Sequence, residues 1–101
     1  MVGEVLQTER FAQWLKDLRD LRARAKVQVR NERLIGSNPG DVSSVGSGVS
    51  ELRIDYGPGY RVYDQQKGSR LIILLAGGDK SCQARDIEQA LMLSRQIKED
   101  E

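Results

Sequence analysis

Residues 51–85 read as one hairpin-plus-strand unit that carries both basic side chains and the three tyrosines of the chain. The cations that could do chemistry there are Arg53, Arg61, Lys80 and Arg85. Guanidinium and ammonium groups bind phosphate and stabilise the negative charge that develops when a phosphoryl group is transferred. Their grouping predicts a ligand that bears phosphate.

The absence of histidine further limits the catalytic mechanisms that the chain could use. The chain has no histidine and one cysteine, Cys82, so Ser-His-Asp and Cys-His hydrolysis are excluded and a zinc site cannot be built. RNA can still be cut, because its own 2′-hydroxyl attacks the neighbouring phosphate. An enzyme then needs only to orient the nucleotide, assist a proton transfer and stabilise charge. We therefore expect a site that uses no metal and no other cofactor.

Three strands are predicted to position the cations. Residues 51–56 and 60–65 alternate between apolar and polar side chains, and Gly57-Pro58-Gly59 suits the reversal between them. Residues 71–76 are apolar on both faces, which is typical of a central strand with a neighbour on each edge. Gly77-Gly78 could cradle a phosphate, but the pair lacks the spacing of a P-loop and is more typical of a turn that ends a strand.

The order of these strands brings the candidate residues to one edge of the predicted sheet. Arg53 and Arg61 lie on the polar faces of adjacent antiparallel strands, and Lys80 and Arg85 follow the third strand. Tyr63 shares a strand face with Arg61, and we expect it to be exposed and to stack on a base. The alternative for each arginine is an ordinary surface ion pair with an acid nearby in the sequence.

Helices are predicted before and after this unit. Thr8 fits the N-cap of the first helix, residues 22–35 form the second, and Gly36 and Pro39 end it. Ser81 fits the N-cap of the last helix. The apolar positions expected to face the sheet are Phe11, Trp14, Leu15, Leu18 and Leu21, then Ala23, Val27 and Leu34, and finally Ala84, Ile87, Ala90 and Leu91.

The first two helices carry an excess of basic residues. Between positions 16 and 33 there are seven of them, against three acidic residues. Such an excess could form an electrostatic footprint for RNA or DNA, and Arg22 and Lys26 are the candidates for RNA binding. The alternative is a solvated helix face on which long cationic side chains cover apolar surface with their stems.

Chain length, net charge, cysteine content and the apolar segments indicate the number of domains and the cellular compartment. Residues 4–8 are predicted to form a short first strand, and the Gly- and Ser-rich residues 37–50 a loop. A chain of 101 residues with a net charge of +1 predicts one domain, residues 1–101, in which nucleic-acid binding rests on a local basic patch. The lone cysteine and the lack of an apolar signal or spanning segment favour a soluble cytoplasmic protein with no membrane partner.

Two stretches of the sequence resemble a known family. GDVSSVGSGVSELRIDYGPGYRVY, followed by LLAGGDKSCQARDIEQA, is similar to the addiction-module killer proteins of the RelE/ParE superfamily, close to the HigB-type toxins. The similarity begins at TERFAQWLKDLRDLRARA and runs to the last helix. It implies a two-layer α+β, RelE-like fold, in which a helix hairpin and a C-terminal helix pack on a mainly antiparallel four-stranded sheet, with the first strand beside the last.

The resemblance also implies a function. Many RelE-like toxins bind the ribosomal A site and cut messenger RNA there without a metal, using Arg, Lys and Tyr. The expected protein is therefore an endoribonuclease toxin, or mRNA interferase, of a type II toxin–antitoxin system. Its expected partners are messenger RNA, the ribosome and a cognate helix-turn-helix antitoxin of the HigA type, with operator DNA bound only through the antitoxin complex.

The family motifs also imply roles for individual residues. Arg61 matches the arginine of the family's YRV strand and is the leading catalytic candidate. Arg53 roughly matches a basic residue on the preceding strand, and Lys80 matches a basic residue just after the last strand. RelE carries a functional tyrosine near its C-terminus, whereas the corresponding segment here reads Arg85-Asp86-Ile87. The resemblance therefore implies that Arg85 or Asp86 contributes in its place.

Two other functions stay open at the level of sequence. A ParE-like toxin would bind DNA gyrase without cutting RNA. A non-catalytic relic would only pair with its antitoxin and help to repress the shared operon. The set formed by Arg53, Arg61 and Lys80 favours RNA, and the missing tyrosine weakens that preference.

Overall fold

The chain forms one sheet with helices on both faces, and the computed structural model describes residues 3–35, 40–68 and 71–99. The elements in chain order are β1 (Glu4–Gln7), α1 (Glu9–Asp17), α2 (Leu21–Ile35), β2 (Val42–Gly46), β3 (Val49–Ile54), β4 (Tyr60–Lys67), β5 (Leu71–Asp79), a 3₁₀ turn (Lys80–Cys82) and α3 (Gln83–Glu99). Gly36 and Pro39, which were predicted to end the second helix, lie outside the described residues. None of the helices in the described ranges is long and apolar enough to cross a membrane.

The strands are arranged in the order β1-β5-β4-β3-β2. β1 runs parallel to β5, and the other three pairs are antiparallel. The prediction of an α+β protein is therefore confirmed, and so is the central position of β5 between two neighbours. The predicted number of strands is wrong, because the sheet has five strands instead of four. The predicted two layers are also wrong, because α1 and α2 pack on one face of the sheet and α3 on the other, which makes three layers.

The additional strand is β2, which lies in the region predicted to be a loop. It pairs with β3 along residues 42–46, and the hairpin turns through Gly46, Ser47 and Gly48, all of which have positive φ angles. Glycine and serine favoured a loop in the sequence. An edge strand needs pairing on one side only, however, so it tolerates a composition that a central strand would not.

The helix pair α1 and α2 covers one face of the sheet. Thr8 caps α1 as predicted: its Oγ1 accepts a hydrogen bond from the backbone N of Phe11 at 3.0 Å and donates one to the carbonyl of Leu75 at 2.7 Å. The predicted inward residues that are buried or partly buried are Phe11, Trp14, Leu15, Leu18, Ala23, Val27 and Leu34. The prediction for Leu21 is wrong: it begins α2 instead of extending α1, and it is 73% exposed.

Helix α3 covers the opposite face. Ile87, Ala90 and Leu91 pack against that face as predicted, so β5 is buried on both sides. The prediction for Ala84 is wrong, because this residue is exposed. Ser81 is not the N-cap either: β5 runs on to Asp79, whose side chain accepts a hydrogen bond from the backbone N of Ser81 and caps the 3₁₀ turn that comes before α3.

A buried acid lies in β4, where a one-residue irregularity interrupts the pairing with β5. Asp64 is 6% exposed, and its Oδ2 has no hydrogen-bond partner among the residues that the structure describes. Burial raises the pKa of Asp64 to about 7, because it removes the water that would solvate the carboxylate. In the unfolded chain the pKa is about 3.9. Between about pH 4 and pH 7 the unfolded chain thus loses a proton that the folded chain keeps, and stability falls as the pH rises.

We expect this acid to dominate the pH dependence of stability. From pH 5 to pH 8 the free energy of unfolding of the wild type should fall by about 2–3 kcal/mol relative to that of Asp64→Asn, which has no proton to lose. Urea unfolding of both proteins at the two pH values measures the difference. Asp55→Asn removes an exposed acid of the same type and should behave like the wild type. Parallel pH profiles for wild type and Asp64→Asn would contradict the assignment.

Candidate functional site

Two of the predicted catalytic residues are direct neighbours in the sheet. Arg53 on β3 is paired with Arg61 on β4, and Arg61 is paired with Gly78 on β5. Lys80 follows the end of β5, and its Cβ lies 3.6 Å from the place that a Cβ on Gly59 would occupy. At a rise of about 3.3 Å per residue, Lys80 is displaced from the row of Arg61 by about 7 Å along the strands. Arg53, Arg61 and Lys80 therefore lie at the same end of the sheet.

Arg61 lies in a polar recess under the beginning of α3. Its side chain is 13% exposed, and Nη1 lies 3.9 Å from Oε1 of Glu51. Oε2 of Glu51 accepts hydrogen bonds from Oη of Tyr63 and Nε2 of Gln83, both at 2.9 Å. Nε of Arg61 is buried and has no hydrogen-bond partner within the described residues. We call these four side chains the Arg61 recess, which holds a guanidinium beside a buried carboxylate and leaves a donor unused.

The prediction that Tyr63 is exposed is wrong. Its exposure is 0%, and that of Glu51, which was expected on a polar outer face, is 3%. Both lie on the strand face that α3 covers, so the alternating pattern of the strand did not mark a solvated face. Burial and the hydrogen bond to Glu51 raise the pKa of Tyr63. Tyr63 therefore orients Glu51 in this structure, and it has no free ring face on which a base could stack.

Arg53 forms an ion pair with Asp41, an acid that the sequence analysis did not identify as its partner. Its Nη2 and Nε lie 2.6 Å and 3.2 Å from Oδ1 of Asp41, which comes just before β2. The two side chains are 39% and 62% exposed, so water and salt screen the pair and it adds little to stability. The surface ion pair that was the alternative for Arg53 is thus present. Its acid lies across the β2–β3 hairpin and not on β3 itself.

Gly77 and Gly78 lie within β5, so the prediction that they end the strand is wrong. A Cβ on Gly77 would collide with the ring of Trp14 on α1, and a Cβ on Gly78 would collide with Oδ2 of Asp86 on α3. Side chains from both faces close directly onto the strand backbone, which only glycine permits. The glycine pair is thereby explained by packing, without a bound phosphate.

Asp86 is the buried acid at this end of the sheet. It is 7% exposed, and its Oδ2 has no hydrogen-bond partner among the described residues. Burial raises the pKa of Asp86, and the positive charges of Arg85 and Arg10 oppose that rise. Within the described part of the chain, no three Cys, Asp or Glu side chains are grouped so that they could hold a metal ion.

A cleft of about 690 Å³ opens between α1 and α3, beside the last residues of β5. β1 pairs with β5 only up to Leu74, so beyond that residue one edge of β5 faces the cleft while the other edge stays paired with β4. The side chains around it include Arg10 and Trp14 from α1 and Arg85 and Asp86 from α3. We call it the β5-edge cleft. The predicted RNA-binding residue Arg85 lies here and not in the Arg61 recess.

The two RNA-binding candidates on α2 lie on the other side of the sheet from the Arg61 recess. Nζ of Lys26 is 5.2 Å from the ring centroid of Tyr56, which packs against the core under the helix pair. Arg22 is exposed, and its backbone N donates to Oδ1 of Asp20 at the start of α2. A single short RNA strand in the recess would therefore not reach both groups of cations.

Sequence reasoning missed several residues that shape this end of the sheet. Glu51 shares a strand face with Arg53, so its parity could have placed it beside Arg61. Trp14 was assigned only to the core, although its ring also borders the cleft. Arg10 lies four positions before Trp14 and therefore on the same side of α1. The sequence predicted that the last helix packs on the sheet, but it did not indicate that the helix covers the strand face of Glu51 and Tyr63, which turns an expected outer face into a recess.

Comparison with known proteins places the chain in a family. An uncharacterized protein of Haemophilus influenzae is 47% identical to it over 97 residues, and the alignment covers 96% of this chain and 98% of the relative. The chain belongs to the family of that protein. No family model matches the chain. Because the alignment spans nearly all of both proteins, the family offers a second sequence in which the recess and the cleft can be tested.

Proposed function

We propose that this chain is the toxin of a type II toxin–antitoxin pair, that its fold is RelE-like, and that it cuts messenger RNA on the ribosome without a metal ion. The sequence resemblance suggests this function. The strand order is compatible with it, since one strand and two helices precede an antiparallel meander whose last strand lies beside the first. The partners would be messenger RNA, the ribosome and a helix-turn-helix antitoxin.

The Arg61 recess is the observation that carries the proposal. Arg61 is held beside Glu51 before any substrate arrives, and its Nε has no partner within the described residues. Arg53 is its neighbour across the strands, and Lys80 is exposed at the same end of the sheet. A recessed guanidinium flanked by two further cations suits a phosphate diester that lies along the edge of the sheet.

The chemistry of RNA cleavage explains why such a group would suffice. When the 2′-hydroxyl attacks phosphorus it gives up its proton, the bond from phosphorus to the 5′-oxygen of the next nucleotide breaks, and that oxygen takes up a proton, which leaves a 2′,3′-cyclic phosphate and a 5′-hydroxyl. During the attack negative charge accumulates on the non-bridging oxygens. A guanidinium offers several N–H donors in one plane, and a group already fixed in place stabilises this charge without reorganising. Lys80 would bind a neighbouring phosphate as a point charge. Arg53 would first have to break its ion pair with Asp41 before it could bind a phosphate of the RNA.

The ion pairs of Arg53 and Arg61 favour a second candidate function, in which the chain does not cut RNA. Arg53 forms an ion pair with Asp41. Arg61 lies beside the carboxylate of Glu51, which accepts hydrogen bonds from two other side chains. This arrangement is also what a purely structural role would require. The chain would then bind its antitoxin and help to repress the shared operon without cutting RNA.

Pulse labelling separates these functions. The chain is induced in cells that lack the antitoxin, and the synthesis of protein and of DNA is followed from the first minutes. We expect protein synthesis to stop while DNA synthesis continues at first, and co-expression of the antitoxin to restore growth. If DNA synthesis stops first, the target is DNA gyrase, as for a ParE-like toxin. If neither stops while the antitoxin still binds, the chain is non-catalytic.

A further inference from the structure

The β5-edge cleft has the size and lining of a small-molecule site. Its volume of about 690 Å³ lies in the range of ligand pockets, roughly 300–1,000 Å³. Gly77 and Gly78 of β5 form part of its inner wall, with Trp14 closing onto Gly77 and Asp86 onto Gly78. The cleft lies at the edge of β5 that is not paired with β4, so it is distinct from the Arg61 recess.

Asp86 gives the cleft a hydrogen-bond acceptor that is not in use. The side chain borders the cleft, is 7% exposed, and has an Oδ2 without a partner among the described residues. A buried carboxylate oxygen that lacks a hydrogen bond is unfavourable, so a ligand that donates to this group is stabilised. Oδ2 lies over Gly78 and is buried there, so the carboxyl group must turn toward the cleft before a ligand can donate to both of its oxygens.

Arg10 and Arg85 give the same cleft two positive charges. Both are exposed, and both lie close enough to Asp86 to affect its pKa. The ion pairs found among the described residues include neither of them. Glu9 and Asp79 add negative charge to the lining, so a plain anion would not be well matched. The cleft instead suits a ligand with N–H donors at one end and an anionic group at the other.

Trp14 adds a flat surface between these groups. Its ring is partly buried, packs against Phe11 and Tyr60 with centroid distances of 5.7 Å and 6.4 Å, and also borders the cleft. A nucleobase that stacks on an aromatic ring of this kind is bound more tightly, because every base has a flat π-face. The neighbouring rings hold Trp14 in place, so little ordering is required when a ligand binds.

We infer that the β5-edge cleft binds a guanine nucleotide, with the base on Trp14, its donor edge on Asp86 and its phosphate on Arg10 and Arg85. Guanine is the base that presents an imino N–H and an amino group side by side, so one carboxylate can accept from both. Adenine, cytosine and uracil offer that carboxylate one donor group each. The nucleotide could be free guanosine monophosphate or a guanine in single-stranded RNA, and the RNA source rests on the proposed function.

The single tryptophan makes the inference directly testable, because Trp14 is the only such fluorophore in the chain. The full chain is titrated with each of the four nucleoside monophosphates while the tryptophan emission is followed. Guanosine monophosphate should quench it at the lowest concentration. Asp86→Asn keeps the shape of the side chain but replaces one acceptor oxygen by a donor, so it should weaken guanosine monophosphate about tenfold or more and abolish the preference for guanine.

Two further variants complete the test. Arg85→Gln should weaken all four nucleotides to a similar degree, because it removes a phosphate contact and leaves the base contact unchanged. Arg95→Gln replaces an exposed arginine of α3 away from the cleft lining and should titrate like the wild type. Circular dichroism of each variant shows that it is folded. Absence of quenching at millimolar guanosine monophosphate, or equal quenching by all four nucleotides in the wild type, would overturn the inference.

A single-stranded oligoribonucleotide with one guanine separates the two sources of the ligand. Tighter binding than that of the monophosphate supports guanine in RNA, and equal binding supports the free nucleotide. The result does not depend on toxicity. A chain that binds guanosine monophosphate but never arrests growth would refute the proposed function and support guanine binding in the cleft. A toxic chain with no preference for guanine would support the proposed function and refute guanine binding.

Discussion

Arg61→Ala is expected to lower the rate of ribosome-dependent messenger RNA cleavage by about 10²–10³-fold, the usual effect of removing one fixed donor to a developing negative charge. Cells that carry the variant should grow when it is induced without antitoxin. Cleavage is measured in a purified translation system programmed with a defined message, and growth is followed in the same strain background. Full toxicity of the variant would refute the catalytic role of Arg61.

Two controls separate chemistry from folding in this experiment. Arg61→Ala leaves Glu51 with its hydrogen bonds from Tyr63 and Gln83, so the fold should persist, and antitoxin binding together with circular dichroism checks this. Arg95→Ala removes an exposed arginine from α3 and should leave cleavage unchanged. Arg61→Lys keeps the charge but loses the planar set of donors, and its activity should fall between those of the wild type and the alanine variant.

Gly77→Ala is expected to have the largest effect on stability of any single methyl addition within the sheet. The new Cβ would overlap the ring of Trp14, so the ring or the strand must move, and overpacking of this kind costs about 1–3 kcal/mol. For a domain of this size the loss corresponds to a fall in Tm of at least about 4 °C. Thermal unfolding followed by circular dichroism gives the value.

The cause of that loss can be isolated by a double-mutant cycle. Trp14→Leu shortens the side chain that blocks the new methyl group, so the double variant Trp14→Leu/Gly77→Ala should be more stable than the sum of the two single effects by at least about 0.5 kcal/mol. Strict additivity would mean that the methyl group does not meet the ring, and the packing explanation for Gly77 would then be wrong.

The sequence predicted those parts of the fold that depend on local pattern. The spacing of Phe11, Trp14 and Leu15, the cap at Thr8 and the doubly apolar strand at residues 71–76 each reflect a short-range rule, and each is found in the structure. The relation of the first strand to the last came from the resemblance, because parallel pairing between distant segments leaves no local signal.

The remaining features could not be predicted because they depend on which strand positions α3 covers, and the apolar pattern of the helix does not specify that. Tyr63 and Glu51 occupy strand positions that alternate with apolar residues, and such a pattern is normally typical of a solvated face. Only the covering helix makes them buried. The resemblance implied only that Asp86 or Arg85 contributes in place of a tyrosine. The burial of Asp86 over Gly78 depends on the placement of α3, so its role in the β5-edge cleft could not be recognised from the sequence.

The parallel contact between the first strand and the last has a consequence for how quickly the protein becomes able to act. Thr8, which follows β1 directly, donates a hydrogen bond to the carbonyl of Leu75, a residue 67 positions further along the chain. At typical synthesis rates of about 5–20 residues per second, β1 waits on the ribosome for about 3–13 s before its partner strand exists. The sheet cannot close until then, and closing so distant a contact is slow in itself. The Arg61 recess includes Gln83, which follows β5 in the chain, so a nascent chain also has no complete recess during this interval.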